Sequence, residues 1–123
     1  MMVRVACLAG IAALALWPAG ANAGFYSGND LYDSCTVERG RPEFFEKTYE
    51  CVGYVAGAVD AFNTTREANG LKSCIPSRVT VAKLQDVAVA YLRDHPAERK
   101  KSASNLVFSA IREAWPCGKG KKK

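Results

Sequence analysis

Glu50-Cys51-Val52-Gly53-Tyr54-Val55-Ala56-Gly57-Ala58-Val59-Asp60-Ala61-Phe62 carries its apolar residues at helical spacing. Cys51, Val55, Ala58, Val59 and Phe62 recur at i, i+4, i+7, i+8 and i+11, the rhythm of one helix face and not the alternation of a strand. This predicts a long helix over residues 50–69, against whose apolar face the rest of the chain can be placed. Gly53 and Gly57 stand one turn apart on another side. Each costs roughly 1 kcal/mol in helix propensity, so a close approach of another backbone must return more than that. Tight packing inside the domain is the first expectation for this pair, and a dimer or partner surface the second. Asp60 sits among apolar residues, where an unpaired buried carboxylate would be expensive. A structural hydrogen bond to a neighbouring segment is expected for it, with a partner contact second.

Towards the N-terminus, residues 1–23 read as a signal peptide. Arg4 supplies the positive end, an apolar run extends from Ala6 to Trp17, Pro18 breaks it, and Ala21-Asn22-Ala23 is a small-x-small cleavage site. The run is too short for a lasting transmembrane span, so no stable membrane anchor is expected. Cys7 lies at the start of the run and not after it, so it leaves with the leader. The expected mature chain starts at Gly24, enters a bacterial periplasm, folds over residues 24–118 and ends in a disordered Lys-rich tail, residues 119–123. Roughly 100 residues suit one small domain with one modest core.

The chain has 17 basic and 12 acidic residues, but Arg4 lies in the leader and Lys119, Lys121, Lys122 and Lys123 lie in the tail. Without those five the domain is neutral. No basic patch is interleaved with aromatics, so nucleic acid is not an expected partner. The tail offers at most a weak affinity for anionic surfaces.

Further helices flank the central one. Asn29 or Asp30 is placed to cap a short helix through Leu31, Tyr32 and Cys35, after which Gly40 and Pro42 interrupt. Glu43-Phe44-Phe45-Glu46 either begins the long helix early or forms a separate turn, and residues 34–49 have no fixed path at this level. Asn69-Gly70 stops the long helix and Cys74-Ile75-Pro76 is an extended link. Thr80 caps the next helix, whose apolar face is Val81, Leu84, Val87, Ala88, Tyr91 and Leu92, and His95-Pro96 ends it. The last helix spans residues 102–115, with Ala103, Leu106, Val107, Ala110, Ile111 and Ala114 inward and Pro116 as its stop. No stretch alternates as a strand does. The expected fold class is all-α, a small disulfide-stapled bundle of about four helices.

Four cysteines in an exported chain imply two disulfides. Zinc is the competing explanation, yet no Cys-x-x-Cys occurs and His95, the single histidine, is remote from all four. No metal and no cofactor are expected. Cys51 and Cys74 lie at opposite ends of the long helix, roughly 25 to 30 Å apart, far beyond the Cα limit of about 7 Å for a disulfide. Short connections make the three longer helices run up, down and up, which returns Cys117 to the end where Cys74 lies. The expected pairs are Cys35 with Cys51 and Cys74 with Cys117.

Little here suggests an enzyme. The mature cysteines are committed to disulfides, His95 has no recognisable nucleophile beside it and reads as a cap or surface residue, and Glu43 with Glu46 reads as an ordinary solvated helix start. The sequon Asn63-Thr64-Thr65 has no meaning in most bacteria. The connection running from Tyr91 through Arg99 is the better candidate, because it would project charged side chains from a rigid frame. Arg93, Asp94, His95, Glu98 and Arg99 are the candidate partner-binding residues. The alternative is a solvated helical hairpin turn.

Cys35, then Cys51-Val52-Gly53-Tyr54-Val55-Ala56-Gly57 with Asp60, Cys74-Ile75-Pro76, Val79-Thr80 with Leu84, Tyr91-Leu92 with His95-Pro96, and Ala114-Trp115-Pro116-Cys117 follow in an order that resembles the Rap/Tai family of type VI secretion amidase immunity proteins. The resemblance covers nearly all of the mature chain. It implies a small, mostly helical periplasmic protein that binds a peptidoglycan amidase effector and sterically blocks it. It also implies a homodimer and a protruding loop that enters the effector's catalytic groove, which here maps onto residues 94–100. His95, Arg99 and Arg93 are then the candidate anchors, although partner-contacting residues vary with the effector. The Lys-rich tail is not part of the family pattern. The alternative is an acid-stress chaperone or general periplasmic binding module without a cognate amidase.

Overall fold

A computed structural model describes residues 24–118. The expected leader, its cleavage site and the Lys-rich tail lie outside the described residues. α1 (Gly28–Cys35) starts at a capping box: Ser27 Oγ accepts the Asp30 N–H at 3.2 Å, and the Asp30 carboxylate accepts the Ser27 N–H at 2.9 Å. The cap is therefore Ser27 and not Asn29 or Asp30, because Asp30 is used as the reciprocal third helical residue. These hydrogen bonds from Ser27 hold the Asp30 carboxyl below its ordinary range.

Gly40, with φ at 91°, turns the chain into α2 (Phe44–Ala68), a conformation that side chains with a Cβ resist. The Phe44-Phe45 pair thus opens the long helix and is not a separate turn. Cys51, Val55, Ala58, Val59 and Phe62 are all buried, as the 3.6-residue rhythm requires. Gly70, with φ at 69°, and Asn69 close the helix by donating their N–H groups to Glu67 O and Arg66 O.

α3 (Val81–Asp94) is capped by Thr80, whose hydroxyl accepts the Lys83 N–H at 3.2 Å. It buries Leu84, Ala88 and Leu92, leaves Val87 and Tyr91 half-buried, and leaves Val81 42% exposed because its first turn overshoots the core. After the short 3-10 turn Pro96–Glu98, α4 (Ala103–Ala114) inserts Ala103, Leu106, Val107, Ala110 and Ile111. Ala114, expected inward, is exposed at the end of the last turn. Among the described residues there is no strand, only an isolated bridge between Ser27 and Ser102.

The four helices meet in one core, in which Leu31 from α1, Val55 from α2, Leu92 from α3 and Leu106 and Ile111 from α4 are almost fully buried. Phe62 meets Phe108 edge to face at 5.3 Å, an arrangement that adds to simple burial. Both expected disulfides are present. Cys35 and Cys51 have Cα atoms 5.0 Å apart, and Cys74 and Cys117 have theirs 5.1 Å apart. Cys51 is fully buried, so the first bridge belongs to the core; both cysteines of the second are half-buried.

Two expectations for α2 are corrected. Gly53 and Gly57 do not serve packing inside the domain: both are exposed, and a Cβ built on either would meet nothing within 4 Å. Asp60 is exposed, so its carboxylate is open to solvent and is not buried among apolar side chains.

A polar cluster ties the N-terminal segment and α1 to α2. Ser34 is 1% exposed, and its hydroxyl lies 2.7 Å from the Tyr26 hydroxyl and donates to Glu50 Oε2 at 3.0 Å. Lys47 Nζ reaches the same Glu50 oxygen at 2.9 Å, and Tyr26 stacks on Tyr54 at 4.9 Å. Lys47 first, then Tyr26 and Ser34, hold the Glu50 carboxyl below its ordinary value of 4.5. A depressed folded pKa contributes stability that is fully present above the unfolded value and is lost as pH falls through the folded one. The urea midpoint is therefore expected to stay level from neutral pH to about 5 and to drop below the ordinary carboxylate range. Glu50→Gln should lower the neutral-pH midpoint and shrink the acid drop. An acid drop of equal size in both proteins would remove Glu50 from this role.

Candidate partner-binding surfaces

The connection between α3 and α4 brings the five sequence candidates together but presents them unequally. His95 caps α3 with its N–H on Tyr91 O; its ring Nδ1 lies 2.8 Å from the same oxygen and the ring stacks on Tyr91 at 4.0 Å. Pro96 then fixes the turn, since it has no N–H to continue the helix. Arg99 folds inward. Its Nε donates to Leu92 O at 2.6 Å, a terminal nitrogen lies 3.4 Å from Arg93 O, and its guanidinium sits 3.7 Å over the Tyr32 ring. The fork thus satisfies carbonyls that the end of α3 leaves unpaired.

Arg93 and Asp94 point the other way. They form an exposed ion pair at 3.0 Å, with side chains 59% and 60% accessible. That pairing raises the Arg93 pKa further, so its charge is permanent. Glu98 pairs with Lys101 at 3.2 Å along the turn. Of the five candidates, then, Arg93 and Asp94 face solvent, while His95, Glu98 and Arg99 are half-buried and engaged within the connection.

A second surface lies on the outer side of α2. Phe45 and Tyr49 are 72% and 75% exposed, and Gly53 and Gly57 continue their stripe along the helix. Beside Phe45, Arg39, Gly40, Arg41, Pro42 and Phe44 complete an open hollow. Sequence reasoning missed the two aromatics. Their signal was the helical register itself: once Glu43-Phe44-Phe45-Glu46 is assigned to α2, Phe45, Tyr49 and Gly53 fall on one line facing away from Cys51 and Val55.

The described residues thus form a disulfide-stapled helical bundle with a hydrogen-bonded charged connection at one place and an open aromatic helix face at another. The family model for Rap1a immunity proteins matches residues 27–117, and the chain belongs to that family. No curated protein is similar enough to this chain to match it.

Proposed function

We propose that this chain is a periplasmic immunity protein that binds a type VI secretion peptidoglycan amidase and blocks it sterically, without chemistry of its own. The observation that carries the reading is the match to the Rap1a immunity family over residues 27–117, and the α3–α4 connection supports it as a charged turn tied down by internal hydrogen bonds on a disulfide-stapled frame. A preformed turn loses little freedom on meeting a partner, which favours tight binding. Arg93, Asp94, His95, Glu98 and Arg99 remain the residues through which it acts, directly or through the shape of the loop.

The functional unit is a homodimer formed through the outer face of α2. What supports this is the exposure of Phe45 and Tyr49 beside the open positions at Gly53 and Gly57, since an antiparallel two-fold crossing would set the aromatics of one copy over the glycines of the other. Gly57→Leu is expected to leave the monomer folded and abolish the dimer, read as a halved mass in sedimentation equilibrium. A Gly57→Leu protein that keeps the wild-type mass would place the interface elsewhere.

The reading is tested by expressing the product of the adjacent reading frame in the periplasm with and without this chain. Lysis that this chain prevents, together with a stoichiometric complex of the two proteins, is the expected result. A harmless neighbour and no amidase captured from periplasm would sink it.

A further inference from the structure

The 94–101 connection is held from two sides. On one side the N-terminal segment lies along it: Gly28 N–H donates to Lys101 O at 2.9 Å, Asn29 N–H donates to Arg99 O at 2.9 Å, and Ala103 N–H donates to Tyr26 O at 2.8 Å. Gly28 is buried, and a Cβ there would come within 2.8 Å of Arg99 Cα and Arg99 O, so the two backbones touch. On the other side Arg99 grips the end of α3 and stacks on Tyr32 of α1. α1 and the segment before it thus touch the connection through backbone and side chain alike.

We propose that residues 26–32 and Arg99 form a clamp that fixes the shape of the 94–101 connection, making Arg99 and Tyr32 positioning residues, while Arg93, Asp94, Ala97 and Lys100 are the side chains that meet the partner. This rests on the amidase-blocking function above. The division follows from geometry: those four residues are exposed, whereas the Arg99 guanidinium is committed to two carbonyls and an aromatic face. Arg99 and His95 therefore act on binding through the shape of the loop and not by touching the amidase. The protein folds its clamp before it meets any partner.

The test uses the oxidised full-length mature protein. Amide exchange is followed at Gly28, Asn29 and Ala103, whose N–H groups span the clamp, with Val55 and Ile111 as core references. Binding kinetics use the purified amidase encoded by the adjacent reading frame. Arg99→Met, which keeps the length and loses the fork, should make the three clamp amides exchange rapidly while the core references stay slow. Only a fraction of molecules then holds the competent loop, so the association rate should fall about tenfold. Tyr32→Leu should do the same more mildly and serves if Arg99→Met folds poorly. Arg93→Ala with Lys100→Ala should instead raise the dissociation rate and leave clamp exchange untouched. Slow clamp amides in both Arg99→Met and Tyr32→Leu would overturn the clamp, and loosened amides with unchanged binding rates would overturn the positioning role assigned to Arg99 and Tyr32. If the wild-type protein binds no amidase, the amidase-blocking function fails, and the exchange experiment alone still decides whether the clamp exists.

Discussion

Gly28→Val is expected to destabilise the domain by about 3 kcal/mol, at the upper end of what overpacking a well-filled site costs. A Cβ at this position meets backbone atoms of Arg99 and the Leu106 side chain. Leu106 is almost fully buried, and the Arg99 backbone is fixed by its hydrogen bond from Asn29, so neither can give way cheaply. Relief would require α1 to move off the connection, breaking the bond from Gly28 N–H to Lys101 O. Gly53→Ala is the control of opposite sign. It lies mid-helix in α2 with open space around its missing side chain in the single chain, so alanine, measured at protein concentrations low enough to keep the chain monomeric, should stabilise it by about 0.5 to 1 kcal/mol through helix propensity. Urea midpoints of the two variants moving in the same direction would contradict this account of the two glycines.

The second large effect concerns the disulfides. The Cys74–Cys117 bridge joins residues 43 apart and the Cys35–Cys51 bridge residues 16 apart. In the loop-entropy model they contribute roughly 4 and 3 kcal/mol, against a net stability of about 5 to 15 kcal/mol for a domain. Cys74→Ser with Cys117→Ser should therefore lower the urea-derived stability by about 4 kcal/mol. Cys35→Ala with Cys51→Ala should cost at least the 3 kcal/mol that the model assigns, because Cys51 is fully buried and its loss also leaves a gap in the core. Reducing both bridges should unfold most of the protein. A melting temperature unaffected by reductant would show that the helices hold together without either staple.

Much of this architecture is legible in the sequence because it rests on local rules. The rhythm of Cys51, Val55, Ala58, Val59 and Phe62 names the inner face of α2, and the length of that helix by itself removes one cysteine pairing. Thr80 and His95-Pro96 mark the ends of α3 through their own backbone chemistry. The start of α2 was less legible because Phe44, Phe45 and Tyr49 put aromatics on both sides, which blurs the periodicity. The cap at Ser27 was hidden by two further good cap formers, Asn29 and Asp30, one of which completes the box. Spacing also does not reveal what a glycine pair faces: Gly53 and Gly57 have the pattern of a close contact and meet open solvent in the single chain. The inward turn of Arg99 depends on Tyr32, a residue distant in sequence, so no local pattern announces it.

The disulfides also determine what a protease can do to this protein. Exposed loops are where chains are nicked. Arg39 and Arg41 lie between Cys35 and Cys51, while Arg78, Lys100 and Lys101 lie between Cys74 and Cys117, and all five are exposed. A single cut at any of them leaves the two fragments covalently joined, with the helices still held side by side. The connector of residues 69–73 lies outside both closed loops, and it contains the exposed Lys72. Cleavage there would leave α1 with α2 on one fragment and α3 with α4 on the other, joined by no covalent bond but only by their buried faces and the hydrogen bonds that tie residues 26–29 to residues 99–103. This short connector is the point at which one cut leaves the two halves of the molecule without a covalent link.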